Sequence, residues 1–95
     1  MTSFSDIYTF ISNIKLGDAF DPSEVRRMVL RAIPREKITE SVAEAIDDLN
    51  GYLLPIEICL MVGDQDGLHQ SKQFTLKALN ELSKSCQLSP SARLQ

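Results

Sequence analysis

Apolar residues recur at helical spacing along most of the chain. Ile38, Val42, Ala45, Ile46, Leu49 and Leu53 repeat every three or four positions and form one face of an amphipathic helix. That face runs into the most apolar stretch of the sequence, Tyr52-Leu53-Leu54-Pro55-Ile56-Glu57-Ile58-Cys59-Leu60-Met61-Val62. The patterns on either side predict helices that cover it.

The first helix is expected from about Ser5 to Lys15, capped by Ser3 or Ser5, with Phe4, Ile7, Ile11 and Ile14 on its inner face. Gly17 provides its stop. Asp21-Pro22-Ser23-Glu24 announces a second helix, with an N-cap, a proline at the first helical position and an acid at the third. Val25, Met28, Val29, Ala32 and Ile33 form its buried side, and Pro34 ends it. A third helix begins at Pro34 or near Thr39 and is expected to end at Asn50-Gly51.

Residues 55–62 fit a separate buried helix opening on Pro55, or a strand with Ile56, Ile58, Leu60 and Val62 on one side. The helix is preferred, because no other strand pattern exists to satisfy the backbone of a lone strand. Gly63 to Gly67 reads as a loop, and the last helix as Leu68 to Cys86, lined by Leu68, Thr75, Leu79, Leu82 and Cys86. The expectation is an all-α fold in one domain over residues 1–88, with a tail at 89–95. Four or five short helices form a compact bundle around Val42, Ile46, Leu49, Leu60, Leu79 and Leu82, which a second copy or a partner can complete.

Composition narrows the class. The chain has 95 residues, 43% hydrophobic and 24% charged, with no tryptophan, so it makes one ordinary globular domain with a modest aliphatic core. The start, Met1 to Ile7, does not read as a secretory signal, and the run at 52–62 is far short of the roughly 20 apolar residues of a membrane span. A cytoplasmic protein without a membrane partner is expected. Cys59 and Cys86 both lie in apolar-patterned stretches and are expected as buried free thiols.

The net charge of −3 conceals a segregation. Residues 26–37 carry Arg26, Arg27, Arg31, Arg35 and Lys37 against Glu36 alone. Residues 40–66 carry Glu40, Glu44, Asp47, Asp48, Glu57, Asp64 and Asp66 with no basic residue at all. Separate zones of opposite sign suit head-to-tail stacking or a charged partner on one face.

Chemical motifs do not survive the spacing test. With Gly67 at position 6 of a calcium loop, Val62 and Gln73 fall where oxygen ligands are needed. His69 is the only histidine, and two cysteines without paired spacing do not make a zinc site with it. The serines sit in no nucleophile elbow, and no glycine-rich phosphate loop is present. No catalytic, metal or cofactor-binding residue is assigned, no small-molecule substrate is evident, and a non-enzyme is expected.

Two charged constellations remain. Glu40, Glu44, Asp47 and Asp48 form an acidic stripe opposite the apolar face of the third helix, either a solvated face or a dock for a basic partner surface. Arg26, Arg27, Arg31 and Arg35 are the candidates for nucleic-acid phosphates or for an acidic partner. Salt bridging to the acidic zone is the stronger reading of the two. The helix that would enter the DNA groove carries four acids.

The segment Leu76-Lys77-Ala78-Leu79-Asn80-Glu81-Leu82-Ser83-Lys84-Ser85-Cys86-Gln87-Leu88-Ser89-Pro90-Ser91-Ala92-Arg93-Leu94 resembles the end of certain phage terminase small subunits. In those, an amphipathic helix precedes a Gly-Leu-Thr-Pro-Ser-Ala-Arg type motif. Gln87 stands at the glycine and Ser89 at the threonine, and the family's upstream Asn-Pro pair is missing. The resemblance implies a non-enzymatic, ring-forming subunit that helps a packaging motor engage viral DNA, with Pro90 and Arg93 in the family motif. The working expectation is a non-catalytic helical module that oligomerises or docks onto another protein. The alternatives are a small acidic phage- or plasmid-type inhibitor of a host complex, and a nucleic-acid-binding regulator using the basic second helix.

Overall fold

The computed structural model describes residues 3–86, and their architecture is all-α. Helix α1 spans Phe4–Ser12, α2 Pro22–Ala32, α3 Glu40–Val62 and α4 Gln65–Ser85, with a 3-10 turn at Arg35–Lys37 before α3. The Ser3 hydroxyl accepts from the Asp6 N–H at 3.2 Å, and the Asp6 carboxylate accepts from the Ser3 N–H at 3.1 Å. This reciprocal box fixes the start of α1. Asp21 caps α2 through the Ser23 N–H at 3.0 Å, with Pro22 in the first turn as the sequence predicts. Thr39 caps α3 through the Val42 N–H.

The ends of α1 and α3 differ from expectation. Helix α1 stops at Ser12, short of Lys15, although Ile14 beyond it is still buried. More consequentially, α3 does not end at Asn50-Gly51: it runs on to Val62, 23 residues in all, with Pro55 in its interior. The bundle therefore holds two short and two long helices.

The reason lies in the buried register. Val42, Ile46, Leu49, Leu53, Ile56 and Cys59 are all buried on one side of α3, at spacings of three or four throughout. Interior glycine costs a helix about 1 kcal/mol and interior proline about 3 kcal/mol. Burying a large aliphatic side chain yields roughly 1.5–3 kcal/mol, so Leu53, Ile56 and Cys59 together offset both breakers. Pro55 removes only the N–H that would bond to the Gly51 carbonyl, and Gly51 is exposed to water.

The turn after α3 is shorter than the predicted loop. Gly63 takes the left-handed conformation at φ 74°, and the Asp64 N–H reaches back to the Cys59 carbonyl at 3.0 Å. The Asp64 side chain then caps α4 through the Gly67 N–H at 2.9 Å, so Asp66 and Gly67 belong to the first turn of α4. Helices α3 and α4 form a long antiparallel hairpin, the main packing unit of the fold. Helix α2 lies against α3, and α1 fills the angle between α4 and α2.

The core joins all four helices: Phe4, Ile7 and Ile11 from α1, Val25 and Val29 from α2, the inner row of α3, and Leu68, Leu76, Leu79 and Leu82 from α4. Of the six core residues expected, Val42, Ile46, Leu49, Leu79 and Leu82 are buried, whereas Leu60 is only half-buried at the rim. No helix among the described residues is long and apolar enough to cross a membrane. The tail at 89–95 lies outside the described residues.

Candidate protein-interaction surface

The outward side of α3 carries two kinds of chemistry in sequence. Glu40, Glu44, Asp47 and Asp48 are all exposed on its first half. Leu54, Ile58, Met61 and Val62 are exposed on its second half, at 46%, 56%, 79% and 70%. At 3.6 residues per turn these eight positions fall within an arc of about 140° on one side of the helix. The buried row occupies the opposite side. One surface therefore runs the length of α3, acidic at its N-terminal end and apolar at its C-terminal end. Half-buried Glu57 borders the apolar part.

The apolar part extends onto α4. Phe74 is 60% exposed and Tyr52 43% exposed, and together with Pro55, Gly67, Gln70 and Ser71 they line a cleft of about 270 Å³ between the two helices. An added Cβ at Gly67 would stand 2.9 Å from the buried Cys59 Sγ and would strike the Asp64 carboxylate, so α3 and the α4 cap approach Gly67 closely. Apolar side chains gathered beside aromatic walls are the usual makings of a protein contact, because aromatics bury large area at little conformational cost.

The charged residues singled out from sequence occupy neighbouring helices. Arg26 of α2 donates from Nη2 to Asp47 Oδ1 at 2.8 Å, so the basic and acidic zones meet edge to edge. Both partners are exposed, and the pair contributes about 0–1 kcal/mol. Arg27 lies 3.9 Å from Glu24 within its own helix. Arg31 and Arg35 are exposed and make no ion pair among the described residues, and the same holds for Glu40, Glu44 and Asp48. The structure joins one member of each set and leaves the rest facing solvent.

The remaining sequence candidates stay apart. Cys59 and Cys86 are buried free thiols near opposite ends of the hairpin. Burial pushes the Cys86 thiol above its ordinary value, with Lys37 opposing the shift. His69 is exposed in the first turns of α4. Among the described residues, no group of three or more His, Cys, Asp or Glu side chains is placed to hold a metal ion.

The exposed apolar row is what sequence reading missed. The run at 52–62 is visible as an excess of apolar residues. That the excess faces outward at Leu54, Ile58, Met61 and Val62 follows only once α3 is seen to be continuous and its inner face is fixed by Leu53, Ile56 and Cys59. No family model matches the chain, and no curated protein or solved structure matches it. Of the terminase-like segment, Leu76 to Cys86 is the last part of α4 and its cap, and Gln87 to Leu94 lies outside the described residues.

Proposed function

We propose that the chain is a non-catalytic protein-interaction module that engages its partner through the outward side of α3. The observation that carries this reading is the row Leu54, Ile58, Met61 and Val62, exposed on a helix whose opposite face is fully used by the core. Exposed Pro55, three residues before Ile58, connects the row to Tyr52 and Phe74 at the cleft. Isolated apolar residues on a surface are ordinary, but a contiguous set bordered by acids marks a contact site.

The basic residues of α2 support a nucleic-acid reading less well. Arg26 is engaged by Asp47, so a phosphate approaching it would meet that carboxylate.

The test compares the wild-type protein with Ile58→Asp and with Leu30→Asp, which alters an exposed apolar residue of α2 as a control. Light scattering with size exclusion reads self-association, and affinity capture reads binding to other proteins. Ile58→Asp is expected to abolish the association at an unchanged melting temperature, while Leu30→Asp retains it. Association that survives Ile58→Asp overturns the proposal.

A further inference from the structure

We infer that the occupant of this surface is an amphipathic helix from another protein, apolar in its N-terminal half and basic in its C-terminal half, lying antiparallel to α3. The inference rests on the reading of the α3 face as an interaction surface and adds the chemistry and direction of what covers it.

Shape and length come first. The exposed positions 40, 44, 47, 48, 54, 58, 61 and 62 form a straight stripe about 33 Å long at 1.5 Å per residue. A stripe of that form fits a helix laid along it through side chains at three- and four-residue spacing. The cleft lined by Tyr52, Pro55, Gly67, Ser71 and Phe74, beside the stripe, receives one large side chain of such a helix.

Charge selects the partner. Residues 40–66 carry seven acids and no basic residue. Only Asp47 among them is in an ion pair among the described residues. The α3 face of a second copy is a poor occupant in either orientation. Parallel pairing of two α3 helices sets Glu40, Glu44, Asp47 and Asp48 against themselves. Antiparallel pairing about Ile58 overlaps the apolar halves, but it carries each acidic half past the partner's α3–α4 turn, where Asp64 and Asp66 lie. Parallel pairing sets like charges together, and antiparallel pairing leaves each acidic half with no cation of the partner's α3 to meet, since residues 40–66 carry none. An anionic lipid surface is repelled by the same acids. A helix with lysines or arginines in its C-terminal half meets the acids of α3 when antiparallel. Those cations also complement that helix's own dipole.

The test uses two fluorescein-labelled synthetic peptides of about 18 residues sharing one leucine stripe, a length of about five helical turns. One carries lysines in its C-terminal half and the other glutamates at the same positions. Fluorescence anisotropy on the full chain is expected to show the lysine peptide binding at least about tenfold tighter, with the difference shrinking as salt is raised. Ile58→Asp should remove the binding. The double variant Glu44→Lys with Asp48→Lys should reverse the preference, whereas Glu36→Lys, off the stripe, should not.

Equal binding of the two peptides, or binding of neither, overturns the inference. Sedimentation of the protein with phosphatidylserine vesicles that Ile58→Asp prevents would overturn it in favour of a membrane. A dimer in light scattering that Ile58→Asp dissolves would overturn it too, while leaving the α3 face as the interaction surface. An Ile58→Asp variant that behaves as wild type in every assay removes the inference and the proposed function together.

Discussion

The Lys72 ammonium donates to the Ile14 carbonyl at 2.6 Å, joining residues 58 positions apart. Ile14 lies just past the C-terminal end of α1, where free carbonyls gather the negative end of the helix dipole. A half-buried cation from α4 therefore holds the end of α1 against the hairpin. Lys72→Met keeps the stem but removes the charge and the donor. Chemical denaturation should show a loss of about 1–2 kcal/mol. Hydrogen exchange should rise in α1 before it rises in α3.

Two fully buried hydroxyls on α4 should respond in opposite directions. Thr75 Oγ1 lies 2.8 Å from the Ser71 carbonyl and 3.3 Å from the Tyr52 carbonyl of α3, so its proton always has an acceptor. Ser83 Oγ is buried with no partner among the described residues. Thr75→Val should destabilise by about 1 kcal/mol, and Ser83→Ala should be neutral or stabilising, because it removes an unsatisfied polar atom. Urea denaturation of the two variants reads both effects.

The two helical glycines of the hairpin should also separate. Gly51 is helical and exposed, with no atom within 4 Å of an added Cβ. Gly51→Ala should raise stability by about 0.5–1 kcal/mol. Gly67→Ala places its Cβ against the Asp64 cap and 2.9 Å from Cys59 Sγ. It should cost about 1–3 kcal/mol, with a melting temperature below wild type. Equal effects at the two sites would contradict the close packing at the start of α4.

Burial of the Cys86 thiol sets the sign of its contribution to the pH dependence of stability. Burial raises its folded-state pKa above the ordinary 9.0, so the folded protein holds the proton more tightly than the unfolded chain. Its contribution is fully present below the unfolded value and is lost as pH rises through the folded one. Stability should fall as pH rises above about 9, and Cys86→Ala should flatten that decline. Denaturation curves across that range provide the measurement. In the native protein, Cys86 should also alkylate more slowly than in urea.

Much of the candidate surface was legible before any tertiary contact was known. The acids Glu40, Glu44, Asp47 and Asp48 lie opposite the apolar row of the third helix by period alone, and the structure leaves them exposed. The pairing of Arg26 with Asp47 fits the expected meeting of basic and acidic zones, but the choice of partners depends on how α2 lies against α3. Leu54, Ile58, Met61 and Val62 could not be told from core residues in a run that is apolar on every side.

By itself the sequence determined the helical class, the cap at Asp21, a serine cap at Ser3 or Ser5, and most of the inner faces. These depend on contacts within a turn or two of the chain, where side-chain spacing and short polar residues act directly. Tertiary structure decided whether α3 would stop at Asn50-Gly51. A local breaker costs a few kcal/mol wherever it occurs, whereas the burial that offsets it exists only when α4 and its neighbours close over Leu53, Ile56 and Cys59. The same closure decided which apolar residues of the run would remain outside.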